Sequence, residues 1–62
     1  MYQVIYEERA FNYIDMQQFK TRKEAWTVYA GLYRHALDNY GCYGTVLKML
    51  SPSGDVLYFD VF

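Results

Sequence analysis

The stretch from Thr21 to Gly41 is the one part of the chain long and periodic enough to form a helix, and the remaining segments have to bury a face against it. Thr21-Arg22-Lys23-Glu24 has the form of a capping box. The Thr21 hydroxyl can accept from the backbone N–H of Glu24, and the Glu24 carboxylate can reach back to the N–H of Thr21. Gly41 supplies a residue able to turn left-handed just past the last turn. No proline interrupts the segment, and Gly31 is its only severe helix breaker. At about 100° per residue, Ala25, Tyr29, Leu32, Ala36 and Tyr40 fall on one line. Val28 flanks that line on one side, and Trp26, Ala30, Tyr33 and Leu37 flank it on the other; Lys23, Thr27, Arg34 and Asp38 lie opposite. The apolar arc is about 200° wide, broader than one sheet requires.

Before the helix, Tyr2 to Glu8 alternates, with Tyr2, Val4 and Tyr6 on one side, which is the period of a strand. Arg9 to Asn12 breaks the pattern and reads as a loop. Tyr13 to Phe19 reads as a second strand in a hairpin with the first, with Ile14 and Met16 toward the core and Asp15 and Gln17 outside. After the helix, Ser51-Pro52-Ser53-Gly54 suits a type I turn, with Pro52 at its second position and Gly54 at a left-handed bulge position. Closure there sets Ser51 opposite Asp55, Met49 opposite Leu57, Leu47 opposite Phe59 and Thr45 opposite Val61. The other face of that hairpin then carries Val46, Lys48, Leu50, Val56, Tyr58, Asp60 and Phe62, a mixture too apolar for plain solvent.

These elements predict one α+β domain over residues 1–62, a ββαββ arrangement with a four-stranded antiparallel sheet and one helix packed on one face. Antiparallel pairing throughout is available in the strand order 2-1-3-4. The expected core is Val4, Tyr6, Ile14, Met16, Ala25, Tyr29, Leu32, Ala36, Leu47, Met49, Leu57 and Phe59.

A chain of 62 residues buries only about 60% of its unfolded surface, so its margin of stability is thin. Eight tyrosines, four phenylalanines and one tryptophan are more ring surface than so small a core can hide. If Tyr2, Tyr6, Tyr29 and Tyr40 fill the interior, then Tyr13, Tyr33, Tyr43, Tyr58, Trp26 and Phe62 need shelter elsewhere. Contiguous apolar surface of that kind marks interaction sites. The candidate protein-binding residues are therefore Trp26, Tyr33, Val46, Leu50, Val56, Tyr58 and Phe62. A homodimer is expected to bury either the outer hairpin face (Val46, Leu50, Val56, Tyr58, Phe62) or the helix flank bearing Trp26 and Tyr33.

Other chemistry finds little support. Six basic against seven acidic residues leave a net charge of −1, which makes no polyanion-binding surface. The basic residues that do cluster are Lys20, Arg22 and Lys23 at the helix N-terminus, the candidate nucleic-acid contacts of the alternative reading. The only nucleophilic pair is Cys42 with His35, and Cys42 follows a helix C-terminus, where the dipole disfavours a thiolate. One cysteine and one histidine cannot complete a structural metal site, so no cofactor is expected. A single cysteine also points to a reducing compartment. Met1-Tyr2-Gln3-Val4 lacks the features of a signal peptide, and no apolar run approaches the roughly 18–20 residues that span a bilayer. The expectation is a soluble cytoplasmic protein with no membrane contact and no enzymatic activity.

Cys42-Tyr43-Gly44-Thr45-Val46-Leu47-Lys48-Met49, followed by a turn and Val56-Leu57-Tyr58, resembles small phage anti-CRISPR proteins, in particular a class that blocks type I surveillance complexes. The shared pattern is an alanine-bearing helix running into a Cys-aromatic-Gly-Thr-Val strand and then a hairpin, over about a third of the chain. This sequence has one residue fewer between Cys42 and Gly44, and it is not basic. The resemblance implies a compact, non-enzymatic, virus-encoded inhibitor, placed in a host cytoplasm, that occupies a surface of a host protein.

Overall fold

The computed structural model describes residues 1–38 and 44–62. Its elements are β1 (Tyr2–Glu8), β2 (Tyr13–Phe19), α1 (Arg22–Asp38), β3 (Thr45–Leu50) and β4 (Val56–Val61), with a short 3₁₀ turn over Arg9–Phe11. The strands form one antiparallel sheet in the order β2-β1-β3-β4, with the helix packed on one face. Fold class and strand order are those expected. The central pair β1 and β3 is far apart in sequence; β2 and β3, both antiparallel to β1, run parallel to each other, and α1 is the crossover that joins them.

Half of the capping box forms as expected. The Glu24 N–H donates to the Thr21 hydroxyl at 3.2 Å. The Glu24 carboxylate, however, accepts from that same hydroxyl at 3.1 Å. Thr21→Ala is therefore expected to cost about 1 kcal/mol by chemical denaturation; an unchanged midpoint would show that the cap contributes nothing. The expected left-handed terminus at Gly41, and Tyr40 in the core, lie outside the described residues.

The core forms where the helix meets the central strands: Val4, Tyr6, Ala25, Tyr29, Leu47 and Met49 make one buried cluster. Ala36 is buried as well, and Leu32 and Leu57 are partly so. Ala25, fully buried, is small enough to let the helix axis approach the sheet. Three expected core residues are not in the core: Ile14, Met16 and Phe59 are 65%, 52% and 57% exposed.

The first two are corrected by the β1–β2 register. Val4 lies opposite Gln17 and Tyr6 opposite Asp15, so those polar residues share the helix side, and Ile14 and Met16 point to the opposite face. Loop length sets this, because a shift of one residue flips every side chain. The connection from Glu8 to Tyr13 is closed by the 3₁₀ turn, with Asn12 left-handed at φ 52°; asparagine tolerates that conformation better than most residues. The helix packs mainly over β1 and β3 and touches β2 less. Asp15 and Gln17 therefore stay near solvent, where the Gln17 amide donates to the Asp15 carboxylate at 3.2 Å.

Phe59 is corrected by a bulge. The turn closes as expected, with Ser51 N–H donating to the Asp55 carbonyl at 2.8 Å and Gly54 left-handed at φ 93°. Leu50 then pairs with Val56, but Met49 pairs with Tyr58 rather than with Leu57. The extra residue is Leu57, and beyond it the phase of β4 is reversed. Lys48 faces Phe59, Leu47 faces Asp60 and Val46 faces Val61. Tyr58, Asp60 and Phe62 thereby turn to the helix side, and Phe59 and Val61 to the open side.

Candidate functional site

The bulge brings two rows of side chains together. On α1, Trp26, Ala30, Tyr33 and Leu37 follow one another at spacings of four, three and four residues and form a line along the flank of the helix. On β4, Tyr58 and Asp60 point at that line, and Phe62 lies just beyond the strand end. Trp26 lies 5.7 Å from Tyr29 in a stacked arrangement and 4.9 Å from Tyr58. Tyr29 lies 5.6 Å from Tyr58, and Tyr33 meets Phe62 edge to face at 5.2 Å. Ring pairs of this kind contribute about 0.5–1.5 kcal/mol each beyond their buried area. Had β4 kept the unbulged phase, Tyr58 and Phe62 would face away from the helix and these contacts would be lost.

Between the rows lies an open groove of about 420 Å³, lined by Trp26, Tyr29, Ala30, Tyr33, Arg34, Leu37, Tyr58 and Asp60. Its lining is apolar and aromatic, with one carboxylate. The Tyr29 hydroxyl donates to Asp60 Oδ2, and the Leu47 carbonyl is a longer second acceptor at 3.4 Å. Burial, with the Asp60 carboxylate next to it, pushes the Tyr29 hydroxyl well above its ordinary pKa, because a phenolate there would be poorly hydrated and repelled. Asp60 is half-buried, so an incoming donor can reach it from the groove.

Of the candidate protein-binding residues, Trp26, Tyr33, Tyr58 and Phe62 are brought together here. Helix flank and hairpin face were read from the sequence as alternatives, and for these four residues they are one site. Val46, Leu50 and Val56 belong to the other face of the sheet, and Val46 is buried there, so the expected single outer hairpin surface is divided between two faces. Tyr29 and Asp60 were not singled out. Their signal was the alternation Tyr58-Asp60-Phe62 on one strand and Tyr29 on the central line of the helix, but joining them requires the bulge.

The alternative cluster of Lys20, Arg22 and Lys23 is exposed, yet Arg22 is already engaged. Its guanidinium sits 5.6 Å from the Tyr58 ring centroid and donates to the Tyr58 hydroxyl at 3.0 Å. Arg22 is thus held on Tyr58 by a cation–π contact and a hydrogen bond. His35 is exposed in the last turn of α1, and Cys42 lies outside the described residues. Among the described residues there is no group of three or more side chains able to hold a metal ion, and no helix long and apolar enough to cross a membrane. No protein-family model, curated protein or solved structure matches this chain.

Proposed function

We propose that this chain is a small protein-binding module without catalytic activity of its own, a virus-encoded inhibitor that works in the host cytoplasm as a homodimer and masks a surface of a host protein. The observation that carries the reading is the groove in which Trp26, Tyr33 and Tyr58 offer ring faces around the Asp60 carboxylate. Such a site suits a side chain with an apolar stem and a cationic, planar head. An arginine of the partner can lay its stem along Trp26 and Tyr33, stack on a ring and donate to Asp60. Arg22 on Tyr58 is an example of the same contact within the chain. Rings that are already packed against one another lose little conformational freedom on binding, which favours them as anchors.

The test is affinity capture from host lysate with the tagged chain and two variants, with folding checked by circular dichroism. Trp26→Ala is expected to weaken partner binding by about 2 kcal/mol, roughly thirtyfold. Asp60→Asn, which keeps the shape and removes the charge, should weaken it by less, and salt should have little effect on the wild-type complex. The reading fails if both variants capture the partner as well as wild type does. A captured nucleic acid that is released by modest salt and lost in the variant combining Lys20→Glu with Arg22→Glu would instead favour phosphate binding.

A further inference from the structure

The face of the sheet away from the helix has no covering element among the described residues, and its composition does not suit solvent. The strand registers arrange it in cross-strand rows. One row runs Met16, Ile5, Lys48, Phe59, and the next runs Ile14, Glu7, Val46, Val61. Each of these two rows holds three apolar residues and one charge; a third row, Gln18, Gln3, Leu50, Val56, holds two apolar residues and two uncharged amides. Phe59, Val61, Ile14 and Met16 are all more than half exposed. Glu7 and Lys48 sit on the two central strands in adjacent rows, a diagonal step apart, and carry opposite signs. Glu7 has an exposed partner in Arg9 at 3.8 Å, a contact that solvent screens.

We infer that this open face packs against the same face of a second copy, with Glu7 of each protomer set over Lys48 of the other. The inference rests on the homodimer in the proposed function and assigns it a surface, one that leaves the aromatic groove free. A twofold interface has to be self-complementary, and this face is. A twofold axis lying in the interface plane and passing between Glu7 and Lys48 exchanges their positions, so that two opposite-charge pairs form at the centre of an apolar field. Sheets stacked in this way lie about 10 Å apart with interdigitating side chains. The molecule measures 32 × 19 × 15 Å, so each face offers at most about 600 Å² and a pair hides at most about 1,200 Å², the lower bound of specific interfaces. With only two charges per copy in these rows, one of each sign, the face is poorly matched to a strongly charged partner and well matched to itself.

Charge reversal tests this on the 62-residue chain, by sedimentation equilibrium up to hundreds of micromolar with circular dichroism as the check on folding. Wild type is expected to dimerise. Lys48→Glu places carboxylates over carboxylates, and Glu7→Lys places cations over cations; each should weaken the dimer on the order of a hundredfold. The double variant Glu7→Lys, Lys48→Glu restores opposite signs and should recover most of the affinity, which a merely damaged surface would not do. A dimer indifferent to both single reversals, or a double variant as weak as the singles, overturns this face while leaving a homodimer in place. A wild-type chain that stays monomeric overturns both. If such a monomer loses its captured partner on Phe59→Lys, the face belongs to a different protein.

Discussion

Leu47→Ala is expected to unfold most of the chain at room temperature, whereas Phe59→Ser should leave it folded. Leu47 is fully buried at the centre of the cluster formed by β1, β3 and the helix. Truncating such a residue removes its transfer free energy and leaves a cavity, together worth about 2–5 kcal/mol. A single small core rarely supplies more than about 3–5 kcal/mol of net stability, so the loss is comparable to the whole. Phe59 faces solvent on the open side, opposite Lys48, and its replacement should stay within about 1 kcal/mol, most of it strand preference. Denaturant unfolding at a concentration where the chain is monomeric separates the two. The contrast also tests the bulge, because in an unbulged hairpin Phe59 lies inside and Phe59→Ser becomes as damaging as Leu47→Ala. Equal, severe losses at both positions would therefore sink the register described here.

Alkaline pH is expected to unfold the protein through Tyr29. In the unfolded chain a tyrosine loses its proton near pH 10. In the folded chain burial and the neighbouring Asp60 raise that value, so the folded state holds the proton more tightly than the unfolded state does. Linkage then fixes the sign. The stability associated with this group is fully present below about pH 10 and is lost progressively as pH rises through that value toward the raised folded pKa. Tyr29→Phe should lower stability at neutral pH by about 1 kcal/mol, since Asp60 loses a donor but keeps access to water. The same variant should flatten the alkaline part of the profile. Tyrosinate absorbance in wild type should keep a component that appears only with loss of the circular dichroism signal. The assignment is wrong if the alkaline slope survives unchanged in Tyr29→Phe.

These two tests bear on the site as well as on the fold. Tyr29 connects the core to the groove: its ring belongs to the buried cluster and also stacks under Trp26, and its hydroxyl reaches Asp60. The rings that would meet a partner are thus continuous with those that hold the helix to the sheet. Trp26→Ala, though 45% exposed in wild type, should for that reason carry a modest stability cost beside its effect on binding.

Local signals in the chain were enough for the start of the helix, the bounds of β1 and the second turn. Thr21 and Glu24 marked where the helix begins, alternation marked Tyr2 to Glu8, and Pro52 with Gly54 marked the second turn, because each of these depends on neighbours a few residues away. Such signals left the strand order open: 2-1-3-4 permits antiparallel pairing throughout, and the structure adopts it. Which face each strand turned inward did not follow. For β2 it depended on how the Arg9–Asn12 connection closes, and either phase offered something plausible: Ile14 and Met16 on one side, Phe19 and Tyr13 on the other. For β4 it depended on one inserted residue at Leu57, which no turn residue announces. There the outcome was decided by contacts across the molecule, Tyr58 with Trp26 and Tyr29, Phe62 with Tyr33, and Asp60 with the Tyr29 hydroxyl. A side-chain period of two makes strand phase a single binary choice, and for β4 packing against a helix some 30 residues away in sequence makes it.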